Sequence, residues 1–257
     1  MRFDTDKIIS IVKDAGQIIL NAHDQESTIT AKEGKKNFVT KYDVAVQQYL
    51  CQALTQAVPD AEFVGEEGET NKDSKALRFI VDPIDGTTNF MQDYRASAIS
   101  VAICEGNEPI IGIVYNPYSD ELFYAEKGKG AYLNNKPIHV SDRPLSDGLA
   151  LFGTSPYHPE NTDETFALLR KVFDYSRDIR RSGSAAIDIC YVACGRCEIF
   201  FEKELQPWDY AAGTIIVRDA GGIALTYDGD APCLSNGSDV VFANPSSYKE
   251  FIALLKE

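Results

Sequence analysis

An apolar strand that runs directly into two carboxylates, a proline and a glycine constrains this chain more than any other feature. The run Arg78–Val81 stops at Asp82, since the proline that follows favours extended geometry in the residue before it. Asp85 comes three residues later across a tight turn, and Gly86 permits close backbone approach there. Thr87 can then open a helix with free N–H groups. Two carboxylates beside an open helix N-terminus could hold a divalent cation and a phosphate together.

Two further acidic segments could serve the same site, although each also has a purely structural interpretation. Gly65-Glu66-Glu67-Gly68 follows a short strand, and its carboxylates suit either a hard cation or an exposed acidic loop. Asp209, within Trp208–Gly213, lies where a helix begins and could simply cap it. Asp85 could likewise cap the helix that follows it. Sequence spacing leaves open whether these acids meet in space.

The charge balance is strongly acidic, with a formal net charge of −14 at pH 7. Such a surface repels nucleic-acid phosphates, which argues against direct nucleic-acid binding. It would also repel a phosphorylated small molecule, so bound cations would be needed to reverse the field locally. The histidines His23, His139 and His158 lie outside the acidic segments, which agrees with chemistry that needs no histidine nucleophile.

The hydrophobic pattern predicts one domain over residues 1–257, built from two packed α/β halves with a seam near 143–147. Two helices open the chain, separated by a mobile loop; a largely antiparallel sheet follows, and the second half alternates strands and helices. The predicted helices cover residues 8–20, 44–58, 162–173, 184–193, 210–220 and 246–256, with the loop at 25–36. The predicted strands cover residues 63–64, 78–81, 96–104, 109–115, 121–125, 131–140, 149–153, 198–201, 223–226 and 240–243.

The N-terminus and the cysteines predict a soluble, cytoplasmic protein. Acidic residues interrupt the first residues, and no apolar stretch approaches the ~20 residues that span a bilayer. The six cysteines form no paired framework, which is typical of free thiols in a reducing compartment. Cys190, Cys194 and Cys197 have no histidine nearby, so we interpret them as buried small side chains rather than zinc ligands.

Five segments spread over nearly the whole chain resemble, in this order, the signatures of the inositol monophosphatase family. They are Lys32-x4-Asn37-x-Val39-Thr40-x2-Asp43, Gly65-Glu66-Glu67, Asp82–Phe90, Gly183-Ser184-Ala185-Ala186 and Trp208-Asp209-x-Ala211-Ala212-Gly213. The string Asp82–Phe90 is far more specific than a pair of carboxylates. The resemblance implies an α/β fold, the αβαβα five-layer sandwich of the inositol monophosphatase and fructose-1,6-bisphosphatase type. It also implies a homodimer, sensitivity to lithium, and catalysis with two or three Mg²⁺ ions per active site.

Carried across residue by residue, the resemblance implies a role for each matching position. The implied metal ligands are Glu66, Asp82, the Ile84 carbonyl, Asp85 and Asp209, with Glu66 also serving a third, weaker site. The implied catalytic residues are Glu66, Thr87 and Asp43, where Asp43 is linked to Thr87 and helps to orient the attacking water. The implied substrate contacts are Asp85, Gly86, Thr87, Gly183, Ser184, Ala185 and Glu202, of which the N–H groups of Gly86 and Thr87 would hold the phosphate.

The reaction implied by the resemblance is magnesium-dependent hydrolysis of the phosphate monoester of a small polyol by metal-activated water. Inositol monophosphate is the first expected substrate; fructose 1,6-bisphosphate, histidinol phosphate or a nucleotide 3′-phosphate are alternatives. A non-enzymatic alternative is a regulatory partner of the transcription machinery. Two positions depart from the family pattern: Asn37 stands where aspartate is frequent, and the segment Glu202–Pro207 adds charge beside the expected alcohol pocket.

Overall fold

The structure is a computed structural model that describes residues 3–22, 29–31, 38–67 and 77–256. Lys32 and Asn37 of the N-terminal signature, and Gly68, lie outside the described residues. The α-helices in these ranges are α1 Thr5–Leu20, α2 Lys41–Ala57, α3 Thr87–Met91, α4 Thr162–Tyr175, α5 Ala185–Ala193, α6 Pro207–Asp219 and α7 Pro245–Lys256. Within the same ranges, every helix is too short or too polar to cross a lipid bilayer.

The first half of the chain forms a seven-stranded sheet in the order β3-β4-β5-β6-β7-β8-β9. Its strands are β3 Glu62–Gly65, β4 Leu77–Asp85, β5 Ala98–Glu105, β6 Glu108–Asn116, β7 Glu121–Glu126, β8 Ala131–Leu133 and β9 Lys136–Ile138. Only the pair β3 and β4 is parallel, so this sheet is largely antiparallel, as predicted. A separate ribbon pairs β1 Ile29–Ala31 with β2 Phe38–Thr40, and β1 lies inside the segment predicted to be a mobile loop.

The second half forms a five-stranded mixed sheet in the order β11-β10-β12-β14-β13. Its strands are β10 Leu149–Phe152, β11 Asp178–Arg180, β12 Ile199–Leu205, β13 Ile223–Thr226 and β14 Ser238–Ala243. The sequence did not predict β11, a three-residue edge strand that depends on pairing with β10. Such a short segment has no hydrophobic period of its own to reveal it.

Helices and sheets alternate as five layers, which confirms the predicted αβαβα sandwich. Successive residues of β4 point to opposite faces, so Phe79 packs with α1 and α2 while Ile80 packs with α5 and α6. On the second sheet, Phe200 faces α5 and α6, and Phe201 contacts Phe251 of α7 with ring centroids 5.0 Å apart. Because α5 and α6 pack against both sheets, we propose that residues 1–257 form a single domain with its seam near 143–147.

Caps decide where the helices that carry the site begin. Thr40 and Asp43 form a capping box, so α2 starts at Lys41, before the apolar pattern that predicted residue 44. α6 starts at Pro207, before the predicted residue 210, because proline is favoured at the first helical position.

Cys190 and Cys197 are buried in the core, in agreement with their interpretation as small apolar side chains.

Candidate active site

Three carboxylates that are far apart in the sequence meet at the C-terminal end of β4. Asp82, Asp85 and Asp209 each offer a carboxylate oxygen, and these oxygens all lie within 4.8 Å of one another. Asp82 and Asp85 end β4, whereas Asp209 lies in the first turn of α6. Asp82 is only 2% exposed and Asp85 only 6%. The structure therefore joins two acidic segments whose proximity the sequence left open.

The turn that ends β4 is shaped by its own backbone. Pro83 has no N–H for the sheet, and the pairing with β5 shifts register between Asp82 and Asp85. The N–H of Ile84 donates to Asp82 Oδ1 over 2.9 Å and orients that carboxylate. Gly86 has a φ of +86°, and a Cβ there would lie 3.1 Å from a backbone carbonyl oxygen. Glycine is therefore required where α3 begins.

Asp85 connects the β4 turn to α5 rather than capping the helix that follows it. Its Oδ2 accepts hydrogen bonds from the Ser184 hydroxyl and from the N–H of Ala186, the latter at 2.8 Å. Ser184 is also the N-cap of α5. α3 instead begins after Gly86 without any side-chain cap, so the capping interpretation of Asp85 is wrong for α3. The Asp85 contacts bring the predicted substrate segment Gly183–Ala186 to the carboxylates.

Asp209 lies at the third position of α6, not at its N-cap. The N-cap is Gln206, whose N–H donates to Asp209 Oδ2 over 2.7 Å in a capping box. A carboxylate has a second oxygen with free lone pairs, so capping and metal binding do not compete for the same atom. The two interpretations of Asp209 are therefore compatible.

The parallel pairing of β3 with β4 carries Glu66 to the same end of the sheet. The N–H of Glu66 donates to the Val81 carbonyl over 3.1 Å, directly beside Asp82. Gln47 of α2 holds the loop, because its side-chain oxygen accepts from the N–H of Glu67 over 2.9 Å. Glu66 is not one of the three carboxylates within 4.8 Å, but it lines the same cavity.

Thr87 and Asp43 are in contact behind the β4 turn. Thr87 Oγ1 lies 3.4 Å from Asp43 Oδ1 and 3.2 Å from the carbonyl oxygen of Ile84, and can donate its proton to either. The N–H of Thr40 donates to Asp43 Oδ2 over 2.8 Å. Burial raises the pKa of Asp43, and the hydrogen bonds from Thr40 offset part of that rise. The capping box of α2 thus fixes the carboxylate that faces Thr87.

Burial raises the pKa of all three clustered carboxyls. For Asp82 the next causes are the charges of Glu66, Asp85 and Asp209. For Asp209 they are the charges of Asp85 and Glu66. Burial raises the pKa of Asp85 to about 6, against the opposing effect of its hydrogen bonds. None of the ion pairs in the described ranges involves these carboxyls.

The carboxylates open into a cavity of about 390 Å³. Its lining includes every predicted metal ligand and substrate residue, namely Glu66, Asp82, Ile84, Asp85, Gly86, Thr87, Gly183, Ser184, Ala185, Glu202 and Asp209. The carboxylates of Asp82, Asp85 and Asp209 have raised pKa values and make no ion pair with a basic side chain of the described residues, which fits a hard divalent ion such as Mg²⁺. Asp43 does not line the cavity and reaches it only through Thr87.

Comparison with known proteins agrees with this geometry. The model of the inositol monophosphatase family matches residues 4–257. The chain belongs to the inositol monophosphatase family. The resemblance of the motifs is thereby confirmed over nearly the full length of the chain.

Relatives within the family carry two kinds of name. The inositol-1-monophosphatase of Rhizobium meliloti (strain 1021) is 38% identical over 233 residues, 90% of this chain and 85% of that protein. The Nus factor SuhB of Escherichia coli (strain K12) is 32% identical over 252 residues, 97% of this chain and 94% of that protein. The crystal structure of the extragenic suppressor protein suhB from Bartonella henselae is 32% identical, with a TM-score of 0.90 and 98% of each chain covered.

In this member of the family, Glu202 forms a buried wall of the cavity. β12 continues to Leu205, so Glu202 lies inside the strand and is only 8% exposed. The N–H of Ser155 donates to Glu202 Oε1 over 2.9 Å, and a Cβ on Gly153 would overlap the carboxyl. Burial raises the pKa of Glu202 to about 7. Glu202 is therefore not a solvated carboxylate at the end of a strand.

Tyr157, Arg181 and Asp188 are among the cavity-lining residues that sequence reasoning missed. Tyr157 is 53% exposed as a whole residue, but burial of its phenol group and the nearby carboxylates raise the pKa of that group to about 12. Asp188 is 2% exposed, and its Oδ1 has no hydrogen-bond partner among the described residues. Asp188 could have been found as a lone acid in the apolar helix α5. Tyr157 and Arg181 lie outside the helices and strands, where only the fold brings them to the cavity.

Proposed function

We propose that this protein hydrolyses the phosphate monoester of a small polyol, inositol monophosphate first, with Mg²⁺ and an attacking water. The observation that carries the proposal is the group of three carboxylates, with Asp82 and Asp85 buried and Asp209 half-buried, that opens into a cavity beside the first residues of α3. A cation and a phosphate can share that space, whereas these three carboxylates without a cation would repel any phosphorylated ligand.

The proposed ligands follow from the donor atoms. We assign Glu66, Asp82 and the carbonyl of Ile84 to one ion, and Asp82, Asp85 and Asp209 to a second, with Glu66 also able to hold a third. When bound, Mg²⁺ lowers the pKa of a coordinated water and offsets the negative charge of the phosphate. Sensitivity to Li⁺, which the family resemblance implies, is part of the proposal.

Thr87 orients the water through its hydroxyl. The Oγ1 proton points to Asp43 Oδ1 or to the Ile84 carbonyl, so the Oγ1 lone pairs remain available to accept a proton donor in the cavity. A water that donates to Thr87 is held with its own lone pair directed away from Thr87. The N–H groups of Gly86 and Thr87 donate to the phosphate oxygens and hold phosphorus in line with that water.

The alcohol part of the substrate lies against the opposite wall. We assign contacts with its hydroxyl groups to Asp85, the segment Gly183–Ala185 and Glu202. A relative named inositol-1-monophosphatase, 38% identical to this chain, supports inositol monophosphate as the first substrate. Another sugar phosphate, such as fructose 1,6-bisphosphate, and a nucleotide 3′-phosphate remain the alternatives.

A panel of phosphate esters tests the proposal directly. Phosphate release is measured with Mg²⁺ on inositol 1-phosphate, glucose 1-phosphate, fructose 1,6-bisphosphate and a nucleotide 3′-phosphate. We expect release from inositol 1-phosphate to be fastest and to be reduced by Li⁺. If phosphate is released fastest from another ester, the alcohol of that ester would replace inositol in the proposed substrate. No release from any ester would reject the phosphatase function.

Glu202 should separate substrate choice from chemistry. The Glu202→Gln variant keeps a side-chain carbonyl that can accept a hydrogen bond from the Ser155 N–H. The cavity wall at position 202 should therefore keep its shape. Loss of the charged acceptor should change the ratio of kcat/KM between substrates by about ten- to a hundredfold. Glu66→Gln should lower kcat/KM for every ester, because a metal ligand serves them all.

The measurement is kcat/KM of both variants on inositol 1-phosphate, glucose 1-phosphate and glycerol 2-phosphate. A uniform fall in the Glu202→Gln variant would assign Glu202 to the general machinery. No change on any of the three esters would remove it from the substrate site.

A regulatory role in transcription is the second candidate function, because a relative 32% identical to this chain is named a Nus factor. The test is size-exclusion chromatography of the purified protein mixed with bacterial RNA polymerase. If this candidate is right, the two proteins co-elute. Co-elution that persists in an inactive Asp209→Asn variant would establish a role independent of hydrolysis. Separate elution of the wild type would reject this candidate.

A homodimer is the expected assembly. α4 exposes Phe166, Phe173 and Tyr175, of which Phe166 is 53% exposed, and β11 forms an edge of the second sheet directly after α4. Such an apolar patch beside a sheet edge is typical of an interface. Light scattering of the wild type and of Phe166→Glu tests this: we expect a dimer and a monomer respectively.

The six unpaired cysteines agree with the cytoplasmic location that we propose.

A further inference from the structure

Gln47 of α2 makes two hydrogen bonds to the main chain of a single residue. Its side-chain oxygen accepts from the N–H of Glu67 over 2.9 Å, and its Nε2 donates to the carbonyl oxygen of the same residue. The donor and the acceptor of one planar amide thus meet Glu67 as a paired residue of an antiparallel strand would. The backbone of Glu67 is therefore fixed against α2 at two points.

The backbone of Glu66 is thereby held from both sides. Its own N–H donates to the Val81 carbonyl over 3.1 Å, and the next residue is the one that Gln47 holds. β3 ends at Gly65, so the strand itself stops short of Glu66. The direction of the Glu66 carboxylate into the cavity therefore depends on how Gln47 holds Glu67.

Gly65 leaves the space that the Gln47 amide occupies. A Cβ at position 65 would overlap the side-chain oxygen of Gln47. The φ angle of Gly65 lies outside the left-handed region, so its backbone conformation does not require glycine. Glycine at this position therefore suits the Gln47 contact rather than an unusual turn.

The helix that carries Gln47 supports a second part of the site. The apolar face of α2 is buried against the first sheet. Asp43 precedes Gln47 by four residues, so the two side chains lie on one face of the helix, one turn apart. Asp43 Oδ1 lies 3.4 Å from Thr87 Oγ1. One face of α2 therefore contacts both the hydroxyl proposed to orient the water and the loop that carries Glu66.

We infer that Gln47 is a positioning residue for Mg²⁺, which holds the Glu66 carboxylate toward the cation and so sets the affinity of the ions that Glu66 binds. The inference rests on the proposed phosphatase function, in which Glu66 is a metal ligand. Gln47 does not line the cavity. It therefore acts through the backbone of Glu66 and Glu67, and not by contact with metal or substrate.

Calorimetric titration of the purified protein with Mg²⁺ tests the inference without any substrate. Gln47→Leu keeps a good helix former but removes both the donor and the acceptor. We expect its Kd for Mg²⁺ to rise about ten- to a hundredfold, as it does for other residues that support a metal ligand. Gln48→Leu is the matched control and should keep the wild-type Kd, because Gln48 is the next residue of α2 and lies on a different face.

Activity separates positioning from a general loss of structure. In Gln47→Leu, the Mg²⁺ concentration for half-maximal phosphate release from inositol 1-phosphate should rise by the same factor as the Kd. Its kcat at saturating Mg²⁺ should stay within about threefold of the wild type, because the Glu66 carboxylate is still present. A defect of folding alone would instead lower kcat at every Mg²⁺ concentration.

Two further variants test the route of the effect. Gly65→Ala should raise the Kd for Mg²⁺ as Gln47→Leu does, because the new Cβ displaces the amide while Gln47 remains. In a Glu66→Gln background, Gln47→Leu should change the Kd by less than about threefold, since residues that act through one another are not additive. If Gln47→Leu does not fold, Gln47→Asn, which is one methylene shorter, takes its place.

Each of four results would overturn the inference. They are an unchanged Kd in folded Gln47→Leu, a loss of kcat that saturating Mg²⁺ does not restore, a wild-type Kd in Gly65→Ala, and a full effect of Gln47→Leu in the Glu66→Gln background. If the wild type itself binds no Mg²⁺, the proposed function fails and the inference fails with it. Wild-type binding that Gln47→Leu leaves unchanged rejects the inference alone.

Discussion

Replacing Asp209 with asparagine is expected to lower kcat by more than about 100-fold, because even residues that only support a metal ligand contribute about ten- to a hundredfold. The fold should survive. Asparagine can accept the 2.7 Å hydrogen bond from the Gln206 N–H, so α6 keeps its cap. The lost negative charge instead weakens cation binding by the carboxylates at the end of β4.

The same substitution should stabilise the metal-free protein. Burial and the charges of Asp85 and Glu66 raise the pKa of Asp209, so its ionised form is unfavourable at neutral pH without a cation. Each kcal/mol gained raises Tm by about 2–4 °C in a protein of this size. Lower activity together with a higher metal-free Tm is the signature of a metal ligand, which a residue that only caps a helix would not produce.

Asp219 provides the control at the other end of α6. Its carboxylate accepts from the N–H groups of Lys129 and Gly130, away from the cavity. Asp219→Asn should therefore keep wild-type kcat. A well-folded Asp209→Asn protein with near-normal kcat in saturating Mg²⁺ would exclude Asp209 from the metal site.

Removal of metal is expected to abolish phosphate release and to make stability depend strongly on pH. The folded pKa values of Asp82, Asp85 and Asp209 are raised above the ordinary value of 3.8, to about 6 for Asp85. The folded chain then binds more protons than the unfolded chain between these values. Stability of the metal-free protein should therefore fall as pH rises from about 4 through the raised folded pKa values.

Mg²⁺ should reverse that loss, since it favours the ionised carboxylates. At 100 times its Kd a ligand stabilises the folded state by about 2.7 kcal/mol, which corresponds to a rise in Tm of about 5–11 °C. Tm is measured at pH 5 and pH 8, with EDTA and with Mg²⁺. We expect a larger Mg²⁺ effect at pH 8, and a smaller one in Asp209→Asn.

Two results would contradict this prediction. Full activity in EDTA would remove metal from the proposed mechanism altogether. A Mg²⁺ effect on Tm that is the same at both pH values, and unchanged by Asp209→Asn, would place the ion away from these carboxylates.

Much of the fold could be predicted because its signals are local. The apolar alternation of β4 to β7, the two opening helices and α4 to α7 all follow from hydrophobic periodicity in the sequence. Their boundaries were less accurate wherever a cap decided them, as at Thr40 and Pro207. β11 was missed because a three-residue edge strand exists only by pairing with its neighbour.

The candidate site also has a part that could be predicted from the sequence and a part that could not. The sequence by itself determined the turn from Asp82 to Gly86, since proline, glycine and two carboxylates act over a few adjacent residues. Only the tertiary structure decided that Asp209 meets Asp85, because burial of α6 between the two sheets brings distant segments together.

Tertiary contacts also decided the burial and the interaction partners of each charged group around the cavity. Glu202 is a buried wall because Gly153 leaves room for its carboxyl and the Ser155 N–H holds it. Lys203 pairs with Glu164, whereas Arg181 makes no ion pair with any of the described residues, although both are ordinary basic residues in the sequence. Local chemistry thus determined which residue types are present at the site. Packing of the two sheets about α5 and α6 determined their burial, their partners and their charge, because those depend on neighbours far along the chain.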